Sequence, residues 1–341
     1  MAPTGELSER KAALLRDLVR LFIRTGEPVG SEALSASTQL GVSSATIRNE
    51  LAALEEMGYL TQPHTSAGRM PTDRGYRYFV DMLPARTRLK DPDRRAIVGF
   101  FDDALADVDE ILRGTTHLLS RLTRYASLAL APSTRESPIA RAELIPVGSS
   151  TLLLVVFENG RVEKRQIDLP AALKPADVDR LSRALDETLR GLTLHEGKAL
   201  AERGPHDRAH PDVYERVAAA LGSIDEATEA EHVFLGGVSN IAAEEAFQRR
   251  ETLREMLEAL ERESEILRLL RDAATTPPVT VTIGRENPVT GMWEASIIAA
   301  PYAAGGTIGV VGPLRMDYVS AISAVREVAE RLSAAVEALG P

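Results

Sequence analysis

The chain has 341 residues, 44% apolar and 26% charged, with no cysteine, so roughly two or three globular domains are expected and disulfides and thiolate metal sites are excluded. No apolar run approaches the roughly 20 residues of a membrane span, and the N-terminus lacks the apolar core of a signal peptide, so a cytoplasmic protein is expected. The net charge of −10 argues against a nucleic-acid partner, yet residues 1–83 hold 9 Lys/Arg against 10 Asp/Glu; the acidic excess lies elsewhere, and a DNA reader needs only its cations on one face.

From Ser8 to Thr25, Leu14, Leu15, Leu18, Leu21 and Phe22 recur at helical spacing, with Ser8 as N-cap and Gly26 and Pro28 as the stop. A short helix follows over "SEALSAST" (31–38), then the tight connection "QLGVS" (39–43), in which Gly41 can take positive φ. A third helix begins near Ser44, buries Ile47, Leu51 and Leu54, and ends at Gly58. This succession is a helix-turn-helix pattern, although three helices of an ordinary bundle share the periodicity. The exposed front of the third helix separates the two readings. Ser43, Ser44, Ala45, Arg48 and Asn49 lie off the Ile47 face and none is bulky enough to obstruct a groove. Arg pairs bidentately with guanine and Asn with adenine. Arg48 and Asn49 are therefore candidates for base edges, and Ser44 and Thr46 for phosphate or base, with Thr46 partly turned inward beside Ile47. Glu50, Glu55 and Glu56 gather toward the middle and far end of the helix, away from phosphate.

"YLTQP" and "AGRMPT" read as two short strands, with "HTS" (64–66) at the hairpin tip. Gly68 is expected to free the backbone and Arg69 to project from the returning limb, as a wing laid on phosphate or in the minor groove; a solvated loop charge is the alternative, and His64 is expected to be solvated. "TDRGYRYFVDML" (72–83) reads as a helix capped by Thr72, with Tyr76, Phe79, Val80 and Leu83 inward and Arg74 and Arg77 on the other side as further phosphate contacts. The basic, proline-broken stretch 84–95 reads as a linker.

The stretches "SERKAALLRDLVRLFIRTGEPVGSEAL", "GVSSATIRNELAALEEMGYLTQPHTSAGRMPTDRGYRYFVD" and "GVVGPLRMDYVSAI" resemble the heat-inducible transcription repressors of the HrcA family, essentially from end to end. The resemblance implies a multidomain α+β chain: a winged helix-turn-helix DNA-binding domain, a GAF-like domain, and a small α+β dimerisation domain inserted into it. It also implies a homodimer that represses chaperone genes from an inverted-repeat operator, CIRCE, in double-stranded DNA, with the GroEL chaperonin as modulating partner. On this sequence the expected boundaries are 1–83, a linker at 84–95, a split GAF-like domain at 96–137 and 231–341, and the insertion at 138–230. The DNA-binding set is Ser43, Ser44, Thr46, Arg48, Asn49, Arg69, Arg74 and Arg77, with no cofactor, no metal and no membrane partner.

Beyond residue 95, Ile97, Phe101, Ala104, Val108, Ile111, Thr115, Leu118 and Leu122 alternate at spacings of four and three. This is a seam that either pairs with its twin across a two-fold axis or lies on its own domain, with Gly114 favouring a shorter element. "ASLAL" (126–130) reads as a strand, residues 141–169 as a three-strand meander turning at "ENG" (158–160), and 174–191, 195–202 and 211–222 as helices. "HVFLGGVSNI" (232–241) reads as strand and turn, followed by two helices over 242–273, strands in "PVTVTIGRE", "MWEASIIAAPY" and "GTIGVVGP", and a closing helix over 316–338.

Nothing in the chain reads as an active site. The glycines of "AGGTIGVVG" (304–312) complete neither a phosphate loop nor a dinucleotide fingerprint and mark a strand instead. "HDRAHPD" (206–212) spaces two His four apart in a proline-broken loop, and "GVSNI" lacks the last glycine of a nucleophile elbow. In "RMDY" (315–318), Asp317 is expected to cap the last helix while Tyr318 packs. The other functional class left open is a small-molecule-responsive GAF-type sensor whose winged helix is its output.

Overall fold

The computed structural model describes the chain apart from residues 1–6, 39, 65–66, 85–87, 103–106, 135, 149, 171–172, 204–209, 229–232, 244–249, 263–264, 266–269, 271–277 and 340–341. The fold is mixed α+β. The N-terminal unit begins with α1 (Glu9–Thr25), whose Ser8 N-cap accepts the Lys11 N–H. It continues with α2 (Ser31–Ser37) and α3 (Ser44–Glu56), linked through Gly41 at φ 64°. Strands β1 (Leu60–Thr61) and β2 (Met70–Pro71) pair antiparallel, and α4 (Asp73–Asp81) closes the unit from its Thr72 N-cap. Leu14, Leu15, Leu18, Leu34, Ile47, Leu51 and Leu54 are fully buried together, as their spacing predicts.

Two helices follow where the sequence suggested one seam. Helix α5 (Asp91–Asp102) starts inside the stretch read as a linker, and α6 (Val108–Thr123) starts anew from Asp107, whose carboxylate accepts the Glu110 N–H. Ala104, one of the seam positions, lies outside the described residues. Gly114 does not end α6. A Cβ there would stand 2.7 Å from the Phe100 ring, so the glycine is where α5 crosses α6. The seam therefore lies on its own chain, and Ile97, Val108, Ile111 and Leu118 all enter the main core.

Strand β3 (Ala126–Leu130) enters a five-stranded antiparallel sheet, completed by β7 (Val233–Gly236), β8 (Thr280–Ile283), β9 (Ala295–Tyr302) and β10 (Gly306–Pro313) in the order β7-β3-β10-β9-β8. Ile308, Val310 and Ile298 face α6 and the closing helix α12 (Tyr318–Leu339). Val311, Ala299, Ile297 and Leu128 face the other way, onto α10 (Val238–Ala243) and α11 (Arg250–Glu261). Strand β10 is buried along its whole length, so its glycines serve close strand packing and no phosphate loop.

Between β3 and β7, strands β4 (Ile139–Val147), β5 (Ser150–Phe157) and β6 (Val162–Ile167) form an antiparallel meander. It is packed against α7 (Pro175–Leu189), α8 (Leu194–Glu202) and α9 (Pro211–Thr228), the last longer than the 211–222 read from the sequence. This layer has its own core, including Leu153, Val155, Phe157, Leu181, Leu185, Val217 and Leu221. Among the described residues no helix is long and apolar enough to cross a membrane.

Candidate nucleic-acid interface

Helix α3 carries its polarity along its axis as well as around it. Ser43 caps it: the hydroxyl accepts the Thr46 N–H at 3.2 Å and lies 3.0 Å from Thr46 Oγ1. Ile47, Leu51 and Leu54 turn inward, while Ser43, Ser44, Ala45, Arg48 and Asn49 are exposed and Thr46 is half-buried. No acidic residue lies in the first turn, so the amino-terminal partial charge of the helix is not offset there. Five of the sequence candidates therefore share one end of one helix: Ser43, Ser44, Thr46, Arg48 and Asn49.

Glu50 follows directly after Asn49, where a free carboxylate would repel phosphate. It is buried instead, 2.7 Å from the Arg10 guanidinium and 3.0 Å from the Lys11 ammonium of α1. The hydrogen bond from Lys11, joined by that from Arg10, holds the carboxyl below its ordinary range despite burial. Sequence reasoning placed Glu50 away from phosphate but missed this neutralisation, because the partners stand 40 residues apart.

The hairpin is tied down more firmly than its two short strands suggest. Val29 and Arg69 exchange both backbone hydrogen bonds, at 2.8 and 2.9 Å, an isolated bridge that ties the α1–α2 connection to the hairpin. Gly68 is required for this approach and not for conformational freedom, since a Cβ would overlap the Val29 backbone and its φ is not positive. His64 is exposed, while Thr65 and Ser66 at the expected tip lie outside the described residues.

Two arginines, Arg69 and Arg77, correct the sequence reading, while Arg74 stays exposed as expected. Arg69 does not project; its Nε donates to Glu55 Oε2 at 2.9 Å and its side chain is only 16% exposed, so it fastens the hairpin to α3. Arg74 donates to the Met57 carbonyl at 2.8 Å and stacks on the Tyr59 ring at 4.4 Å, closing the end of α3 while one side stays in solvent. Arg77 faces the central sheet. It binds both Glu286 oxygens and the Val281 carbonyl, and pairs with Asp81 at 3.3 Å. Beside it, Asp73 accepts the Arg285 N–H at 3.0 Å and Tyr76 packs on Tyr318, with ring centroids 6.0 Å apart. These contacts dock the N-terminal unit on the body of the chain.

In "RMDY", Asp317 accepts the Ser320 N–H at 3.1 Å and caps α12, and the buried Tyr318 hydroxyl donates to the Leu314 carbonyl at 2.8 Å. Burial raises the Tyr318 phenol well above its ordinary range, so it stays protonated as a structural group. "HDRAHPD" falls mostly outside the described residues.

A family profile described as the HrcA protein C-terminal domain matches residues 109–322. The heat-inducible transcription repressor HrcA of Thermobifida fusca is 44% identical over 334 residues, covering 95% of each chain. That of Parafrankia sp. is 40% identical over 95% of this chain and 97% of its own, and that of Moorella thermoacetica 35% over 98% and 99%. The chain belongs to the HrcA family. A crystal structure of a hypothetical protein superposes on this HrcA-family chain over 98% of its length with a TM-score of 0.71 and 26% identity. Its relatives are transcription repressors, a role that needs a binding surface and no catalytic site. Within the family fold, α3 offers an exposed polar end with no acid in its first turn.

Proposed function

We propose that the chain is a homodimeric repressor that reads an inverted-repeat operator of the CIRCE type with the amino-terminal end of α3. In this reading residues 1–83 are a winged helix-turn-helix, 96–137 and 231–341 a GAF-like domain, and 138–230 a dimerisation insertion. The observation that carries it is the bare front of α3: Arg48 and Asn49 exposed beside small polar residues, with Glu50 withdrawn into an ion pair. Arg48 and Asn49 read base edges, Ser44 and Thr46 contact phosphate or base, and the hairpin backbone approaches the duplex while Arg69 and Arg77 keep their structural contacts. Two such helices related by a two-fold axis enter successive major grooves of the operator.

The outer face of the β4–β6 sheet supports the pairing. Ile145 and Leu152, and Val156 and Val162, are cross-strand neighbours on the side turned away from α7–α9, and Ile145, Val147 and Val162 are 37%, 55% and 45% exposed. A second copy of this face is the natural cover. Warming that depletes a marginal dimer, and a GroEL-type chaperonin that restores it, would link this packing to heat.

The test is a salt titration of binding to an inverted-repeat operator against a scrambled duplex. Preference for the operator that survives added salt, with a salt slope common to both duplexes, is expected. Equal affinity for both at every salt concentration would remove the operator reading. Refolding yield of operator-binding activity with and without chaperonin tests the regulatory part, and no difference would count against it.

A further inference from the structure

Helix α6 ends in an arrangement that the repressor reading leaves unused. His117, Arg121 and Arg124 stand at successive turns on its exposed side and line a cleft of about 650 Å3, whose other wall is Ser239 and Asn240 at the start of α10. No carboxylate lines this cleft among the described residues, although the chain beyond residue 83 holds 31 Lys/Arg against 40 Asp/Glu. Other clefts differ: those beside α11, beside α8 and α9, and beside the first turns of α12 each include at least one acid, and the last shares Arg124, which stands there with Asp93 and Asp317.

Arg124 is itself out of place as a backbone residue. It caps α6 at φ 63°, ψ 19°, and is the one non-glycine residue with positive φ among those described. Glycine or asparagine is the usual choice at such a cap, because a Cβ is strained there. Keeping an arginine at a strained cap makes sense when the guanidinium has a task. The site also has a mechanical connection. Asn240 Nδ2 donates to Ser120 Oγ at 3.0 Å and to the Tyr125 carbonyl at 3.3 Å, joining both walls. The Tyr125 hydroxyl accepts the Asp317 N–H at 2.9 Å, and Asp317 caps α12 one residue before Tyr318, which packs on Tyr76 of the N-terminal unit.

We propose that this cleft binds a small phosphate-bearing molecule through Arg121, Arg124 and His117, and that its occupancy is relayed through Tyr125 and Asp317 to the docking of the N-terminal unit. Guanidinium groups match phosphate oxygens by paired charge-assisted hydrogen bonds. The cleft is large enough for more than a single ion. A ligand that bridges the two walls fixes Asn240 and Tyr125, and therefore the start of α12.

Inorganic pyrophosphate is the probe, titrated calorimetrically into the full-length protein at constant ionic strength, with sodium chloride as the control. Saturable binding is expected, weakened about tenfold or more in Arg121→Gln and in Arg124→Gly. The glycine variant relieves the strained cap, so its melting temperature should hold or rise, and a loss of binding there is not misfolding. A second arm reads affinity for a duplex, with and without pyrophosphate. A shift in the wild type that disappears in Arg124→Gly supports the relay; a shift retained in the variant means competition at the DNA surface and overturns it. Absence of saturable binding, or equal binding by wild type and both variants, overturns the site. So does a loss of duplex affinity in the variants without pyrophosphate, since the cleft would then be a DNA-backbone contact. The calorimetric arm uses no DNA, so its failure is separate from failure of the operator reading.

Discussion

Helices α3 and α4 belong to one small unit, and both put arginine on the side opposite their apolar stripe, yet the side chains meet different fates. On α3, Arg48 and Asn49 stand clear because the preceding residues are small and the one nearby acid is held by α1. On α4, Arg77 is taken up by Glu286 and Asp81, whereas Arg74 touches the Met57 carbonyl and the Tyr59 ring and stays exposed. The difference shows that a cation opposite an apolar stripe is available to a ligand only if no other part of the chain arrives there first. Helix α4 faces the body of the protein; the front of α3 does not.

The largest effect should come from removing the geometry that both helices share. Gly68→Ala forces a Cβ into the Val29 backbone; overpacking of this kind costs about 1–3 kcal/mol, and a lower melting temperature together with weaker binding to every duplex is expected. A variant with unchanged stability would mean that the hairpin can shift away from Val29 freely. Next, Arg48→Ala should cost about 1–3 kcal/mol of operator affinity and relax preference at one base position, with no change in melting. Equal losses on operator and scrambled DNA would place Arg48 on phosphate.

Arg77→Ala sharpens the contrast from the other side. It strands Glu286 and the Val281 carbonyl, and with the side chain 29% exposed the stability loss should be about 1 kcal/mol. Binding to operator and scrambled duplexes, measured well below the melting temperature, should stay unchanged, because Arg77 meets the body of the chain and not the duplex. An equal loss on both duplexes would put Arg77 back in the DNA interface as a phosphate contact.

The smallest effect is the pH dependence of Glu50. Its carboxyl is held below its ordinary value of 4.5, so the ion pair contributes fully above that value and is lost as pH falls through the lowered one. Glu50→Gln should therefore flatten the acid side of the stability profile by less than about 1 kcal/mol and leave neutral-pH stability slightly lower. An unchanged acid limb in urea unfolding between neutral pH and pH 3 would show that the pair contributes nothing.

Much of the N-terminal unit was legible because its signals are local. Ser8, Ser43 and Thr72 cap the helices they precede, and Ile47, Leu51 and Leu54 are buried at the spacing that named them. Asp317 caps α12 for the same reason. The alternating seam from Ile97 to Leu122 misled, because periodicity continues across a break that only the Asp107 cap reveals. Gly114 misled too: a glycine looks alike whether it ends a helix or admits the ring of Phe100. Arg69 was read as a projecting charge because Glu55 is 14 residues earlier and meets it only once the hairpin folds back.

The helix caps and the apolar faces of the N-terminal unit follow from neighbours within a few positions along the chain, so the amino-acid order alone decided them. Which arginines remain free was decided by partners from 14 to 209 residues away, because the pairing of a long charged side chain depends on what packing brings within a few ångströms of its tip. The exposed end of α3 is therefore a property of the assembled molecule: an ordinary run of Ser, Thr, Arg and Asn becomes a surface when α1 withdraws Glu50 and nothing else in the described chain covers it.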